Sequence, residues 1–283
     1  MREIDDLKTQ LRKTIRKHKV ATAATVVMML IVFVAIFAPW VAPNDPLDYE
    51  IAHRFEPPSS RYLLGTDSMG RCVLSRVIWG ARISLQVGLL AVGIGAVIGI
   101  TIGVIAGYSG GWIESLIMRI VDIGLSFPMI LLAILIVAFF GPGLVNVMIA
   151  VGLDRSSRMA RIAHSATLQI KQREFIEASR AVGASSWAII WRHVMPNIAA
   201  PVIVRATLDI AIAILTESSL SFLGLGVVPP TPTWGAIING GRQFLTRAPW
   251  ISTAAGAAIF ITVLCINLMG DGLRDFLDPR ITT

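Results

Sequence analysis

The chain alternates between long uncharged apolar runs and shorter polar segments. The apolar runs fall near residues 20–42, 82–107, 115–140, 143–163, 198–222 and 248–270. A hydrocarbon core about 30 Å thick is crossed by about 20 apolar residues in a helix. A helix satisfies its own backbone N–H and C=O groups where no water is available. The pattern therefore predicts an all-α, polytopic membrane protein with six transmembrane helices. The fourth run is the weakest, because Asp154, Arg155 and Arg158 interrupt it soon after Gly143. That span must tilt, end early or face protein at those charges. The run from Val20 to Ala42 follows a basic segment, as in a secretory signal, but it is too long for a signal core. It reads as an uncleaved first span.

The polar segments divide the chain further. The reading gives an N-terminal segment (1–19), a first span (20–42), an outer loop (43–81), a five-helix core (82–270) and a tail (271–283). Sixteen Lys and Arg residues fall before the first span, between residues 155 and 192, and after residue 270, whereas seven fall in the two opposite loops. Positive charge marks the cytoplasmic side, so both termini and the loop 164–195 are expected there. The outer loop 43–81 is rich in Pro and acidic residues. It reads as ordered coil with one short amphipathic helix near Val73–Trp79. Loop 224–247 carries Pro229, Pro230, Pro232 and Trp234 and reads as a rigid, non-helical cap.

Composition supports the same class. The 283 residues are 54% hydrophobic and 15% charged, with a mean hydropathy of +0.70, whereas soluble domains carry about 25% charged residues. The net charge of +7 is dispersed at the ends of apolar runs and forms no stripe, so nucleic acid is not an expected partner. Cys72 and Cys265 give no basis for a disulfide framework. His18, His53, His164 and His193 lack ligand spacing on any one helix, so no metal site or cofactor is expected.

Three features carry candidate function. Gly95, Gly99, Gly103 and Gly107 are spaced by four, which stacks them in one ridge for close helix packing, inside this chain or against a partner. In the loop 164–195, SATLQIKQREFIEASRAV (165–182) has helical composition, Gly183 can supply a left-handed stop, and Ser185 can cap a second helix. Trp187, Ile190, Trp191 and Val194 then share one face, and Pro196 is expected to end that helix. Two tryptophans on one face suit either a groove on a partner or the membrane interface. Glu177 lies four residues after Arg173 and three before Arg180, so local ion pairs are its plainest explanation. Finally, Asp122, Arg205, Asp209 and Glu217 lie at membrane depth, where charge marks a pathway or gate by default. Arg205 and Asp209, spaced i, i+4, can neutralise one another.

Four separated segments resemble one family. EASRAVGASSWAIIWRHVMP (177–196) is similar to the cytoplasmic signature of binding-protein-dependent ABC importer permeases, matched here by Glu177, Ala178, Gly183 and Pro196. Ser179, His193 and Met195 depart mildly from it. LLGTDSMGRCVLSRVIWGARISL (63–85), ESSLSFLGLGVVPPTPTWG (217–235) and GDGLRDFLDPR (270–280) resemble the dipeptide, oligopeptide, nickel and glutathione branch, with Cys72 where Asp is usual. In that branch the chain looks like the second permease. The resemblance implies the type I ABC importer permease fold in the inner membrane of a prokaryote. It also implies a second permease as heterodimeric partner, two ATPase subunits and an extracytoplasmic solute-binding protein. The residues Glu177 to Pro196 would couple to the ATPase, and the outer loops would meet the binding protein. Consistently, the chain lacks a GxxxxGK[ST] phosphate loop, so ATP hydrolysis belongs to other subunits. An ion-coupled transporter acting alone would want internal repeats and paired carboxylates, and no repeat is visible. An intramembrane protease would need Asp122 and Asp209 as a dyad.

Overall fold

The computed structural model describes residues 19–277, and among them every regular element is helical. Residues 1–18 and 278–283 lie outside the described set, and with them the basic N-terminal segment, His18 and the end of the GDGLRDFLDPR motif.

The first span is α1 (Lys19–Ile36), followed by a short turn of helix, α2 (Ala38–Val41), with Pro39 near its start. The second span is longer than expected. The helix α3 (Val73–Ser109) begins at Val73, and the short helix expected near Val73–Trp79 is its first part. The continuity follows from packing: Gly80 is buried in contact range of the Trp234 ring, so it fits an interface where it would otherwise weaken a helix.

The expected third span is two helices, α4 (Gly111–Ser126) and α5 (Met129–Phe140), set at 88° to one another. Pro128 is the physical cause. It forces the preceding residue out of the helical region, and Phe127 is extended, with φ −79° and ψ 126°.

The fourth span, α6 (Leu144–Lys171), does not stop at its charges. It continues into the region expected to be loop. The segment expected to couple to the ATPase then folds as α7 (Glu174–Ala181) and α8 (Ser186–Ile189). The helix expected across Ser165–Val182 is thus broken at Gln172–Arg173. Pro196 does not end the second loop helix either. A π turn, Ile190–Val194, carries it into α9 (Met195–Phe222), and the whole run Ser186–Phe222 is one helix. Proline lacks an N–H and its ring crowds the carbonyl four residues earlier. The wider turn relieves that crowding: the N–H of Met195 bonds to the Ile190 carbonyl, five residues back.

Loop 224–247 is partly helical rather than coil, with α10 (Trp234–Gly241) capped by the Thr233 hydroxyl, which accepts from the Ala236 N–H at 3.2 Å. The last span, α11 (Pro249–Leu277), runs through residues assigned to the tail. Four helices among the described residues are long and apolar enough to cross a bilayer, five if α4 and α5 form one bent span. Six crossings remain compatible, since α6 has 28 residues, about 42 Å at 1.5 Å per residue, with its mid-length charges paired inside the protein.

The start of α1, the α6–α9 connection and the end of α11 share one end of the molecule. Ala21 packs beside Gly272, and Asn197, Gln169 and Leu277 border one groove.

Candidate functional site

The glycine ridge makes a close helix contact. All four glycines are buried. A Cβ on Gly99 would lie 2.5 Å from the Ser156 carbonyl oxygen, and one on Gly103 2.5 Å from that of Ala160. Gly95 meets Gly152 and Arg155 in the same way, and Gly107 meets His164 and Thr167. The ridge therefore packs against α6 of the same chain, and the alternative of a partner's helix falls away. The complementary signal was also in the sequence, where Gly152, Ser156 and Ala160 are small residues at the same spacing.

At the end of α6, α7 and α8 form a projection whose inner face packs on the bundle. The Lys171 ammonium donates to the Tyr108 carbonyl at 2.7 Å, anchoring the end of α6 to the end of α3. Gly183 adopts φ +86° with open space around it, and Ser185 caps the next helix, its hydroxyl accepting from the Ala188 N–H at 3.3 Å. Ile176, Ile189 and Val194 point inward and are buried. Trp187 and Trp191 point outward, 69% and 52% exposed, with their rings edge-on at 5.5 Å. Glu177, Ala178, Gly183 and Pro196 are exposed too.

The expected local ion pairs of Glu177 do not form among the described residues, and Arg180 lies over the Tyr108 ring at 5.5 Å instead. His193 faces Phe175, and its ring nitrogen is 3.4 Å from the Ser179 hydroxyl.

The three carboxylates expected at membrane depth have separate partners. Asp122 on α4 is paired with Arg161 of α6, both largely exposed. Asp209 on α9 is fully buried and takes two arginines: Arg205 at 3.1 Å and Arg155 of α6 at 3.2 Å. The expected Arg205–Asp209 neutralisation is present, as part of something larger. Arg155 also reaches Asp154 at 2.5 Å, and Asp154 reaches Arg158 at 3.2 Å. Five charged residues thus tie α6 to α9 near mid-length. The sequence showed Asp154, Arg155 and Arg158 only as an interruption of a span. Their i, i+4 spacing with Arg158 was the available signal.

Glu217 is also fully buried, with a different shell. One carboxylate oxygen accepts from the Ser221 hydroxyl at 2.7 Å; the other accepts from Ser84 of α3 at 3.2 Å and Ser218 at 3.4 Å. Next to it, Trp234 of α10 is buried and donates its indole N–H to the Val77 carbonyl at 3.0 Å. The outer loop 43–81 is held to the same region. The Asp67 carboxylate accepts from the Met69 N–H at 2.8 Å and from the Arg71 side chain at 2.7 Å, and Trp250 donates to the Thr66 carbonyl at 3.1 Å.

An all-helical bundle with at least four helices long and apolar enough to cross a bilayer among the described residues defines a membrane protein. The family model for the binding-protein-dependent transport system inner membrane component matches residues 99–283, and that for the N-terminal membrane domain of oligopeptide transport permease C matches 9–58. The chain belongs to this family of permeases.

Among curated relatives, the chain is 46% identical to the di/tripeptide transport system permease DppC of Pseudomonas aeruginosa, covering 93% of this chain and 89% of that one. It is 44% identical to the glutathione transport system permease GsiD of Pectobacterium atrosepticum, over 95% and 90%. The GsiD permease of an Escherichia coli strain is 48% identical over 95% and 89%. In fold the chain is similar to a chain of an inward-facing structure of the MetNI methionine ABC transporter, with TM-score 0.62 and 20% identity, covering 72% of this chain and 96% of that one. The fold is that of a type I ABC importer permease.

Proposed function

We propose that this chain is one half of a permease pair that imports short peptides or a glutathione-like solute. An extracytoplasmic binding protein delivers the cargo, and two separate ATPase subunits drive its passage. The cargo class rests on the names of the relatives at 42–48% identity. The observation that carries the mechanism is the α7–α8 projection. Its inward residues, Ile176 and Ile189, fix it to the ends of α3 and α6, while Trp187 and Trp191 are left bare.

Exposed aromatic anchors of this kind dock in grooves on protein partners. Because α8 runs without a break into α9, a push on the tryptophans moves that whole helix as a lever. Glu177 and Ala178 stand on α7 beside this surface, and Gly183 sets the angle between the two helices. The membrane is the inner membrane, with this projection and the termini on the cytoplasmic side. Arg155, Asp209 and Glu217 hold the moving helix against α6 and α3. The chain performs no chemistry itself.

The test is cargo uptake in cells carrying Glu177→Lys or Gly183→Pro. Both variants are expected to insert normally and to lose uptake. Uptake at the normal rate in both would remove the coupling role.

A further inference from the structure

A groove of about 670 Å³ lies between the inner halves of α6 and α9 and the end of α11. Its polar lining is Gln169, Asn197, Arg205, Asp271 and Arg274. Two arginines against one aspartate give it a positive balance. Among the described residues neither Arg274 nor Asp271 forms an ion pair. Arg205 shares Asp209 with Arg155, in a cluster that sets three arginines against two aspartates. Arg205 turns Nε and one terminal nitrogen to Asp209 and keeps further guanidinium N–H groups, and Arg274 has no ion pair among the described residues, so the groove offers unused donors to an anion.

We infer that this groove is an anion station for the cargo, in which Arg205 and Arg274 receive the carboxylate of a peptide-sized solute on its way through the permease. The volume falls within the range for small-molecule sites, which are mostly apolar with a few convergent polar groups. Here Ile162, Ala166, Ala200, Pro201, Val204 and Leu208 supply the apolar wall. Guanidinium groups bind carboxylates through paired N–H donors. Asn197 donates one N–H to the His193 carbonyl at 2.6 Å, and its remaining amide groups, with those of Gln169, can contact the solute's amides. This inference rests on the proposed peptide cargo.

The test uses the complete transporter, with its second permease, ATPases and binding protein, in proteoliposomes of phosphatidylcholine, with radiolabelled Ala–Ala as probe. No accumulation of dialanine by the wild-type complex, or of glutathione tried in its place, fails the cargo reading itself. Given accumulation, Arg205→Gln and Arg274→Gln are each expected to slow it about tenfold, the loss of one charge-assisted contact, with Arg205→Lys closer to wild type.

Arg205 also neutralises Asp209, so the double variant Arg205→Gln, Asp209→Asn separates the two roles: it is expected to stay slow. Wild-type rates in both single Gln variants, or recovery in the double variant, would overturn the station. A defect that appears only when phosphatidylglycerol is added would assign the groove to a lipid phosphate, and would overturn it equally.

Discussion

At the scale of single residues, the glycines of α3 separate two kinds of effect that look alike in sequence. Gly99 and Gly93 are both helical, yet a Cβ on Gly99 meets the Ser156 carbonyl oxygen at 2.5 Å while one on Gly93 meets nothing within 4 Å. Gly99→Ala is expected to destabilise by about 1–3 kcal/mol, the usual cost of forcing packed elements apart. Gly93→Ala is expected to stabilise by about 0.5–1 kcal/mol, because alanine loses less freedom in a helix. Thermal unfolding of the purified chain in mild detergent reads both, and equal effects would mean that the α3–α6 contact is looser than described. The same reasoning applies to charge. Asp209 is fully buried between Arg155 and Arg205, so Asp209→Ala leaves two arginines short of a partner. The expected loss is about 3–5 kcal/mol, and the double variant Asp209→Ala, Arg205→Ala should lose less than the sum of its parts.

At the scale of elements, the apolar runs located the helices, whereas their ends followed rules that hydropathy does not contain. Gly80 did not end α3 because Trp234, far along the chain, packs against it. Pro128 split the third span while Pro196 split nothing, although both are prolines in apolar surroundings; the difference is a π turn that no periodicity announces. The coupling projection was the most legible element, since Gly183 and Ser185 are local signals and both behave as local chemistry demands. Gly183→Ala is accordingly expected to strain the turn by about 1–2 kcal/mol through its left-handed φ, despite the open space around it. Trp187→Ala and Trp191→Ala remove exposed surface, so each should leave the stability of the chain within about 0.5 kcal/mol. If the tryptophans are anchors, the same substitutions should weaken ATPase association at least tenfold, since anchor residues contribute about 2 kcal/mol or more. Pull-down of the ATPase with the tagged chain measures this, and unchanged recovery would return the tryptophans to the membrane interface.

At the scale of the whole molecule, the sequence was read correctly as a class, and the structure is compatible with the count of six. Six apolar runs yield four clear spans, a bent pair and one charged helix, because the bilayer filters for average apolarity while α6 pairs its charges within itself and with α9 and α4. That concealment is also why Asp154, Arg155 and Arg158 could not be assigned a role beforehand: the residue that links Arg155, and through it the others, to α9 is Asp209, 54 residues from Arg155. A bundle of this size leaves many large apolar side chains exposed, among them Phe139, Phe140, Val145 and Ile149 around the α5–α6 turn. Lipid accounts for such a surface on its outer faces, but a pathway for polar cargo cannot be walled by lipid. On the proposed import of a polar solute, one bundle with its core filled would need a second to enclose the path. Affinity purification of the tagged chain from its native membrane is expected to recover a second permease of the same family together with ATPase subunits. Recovery of the chain alone, folded and intact, would mean that the path is built from one chain, and uptake would then have to survive loss of every ATPase.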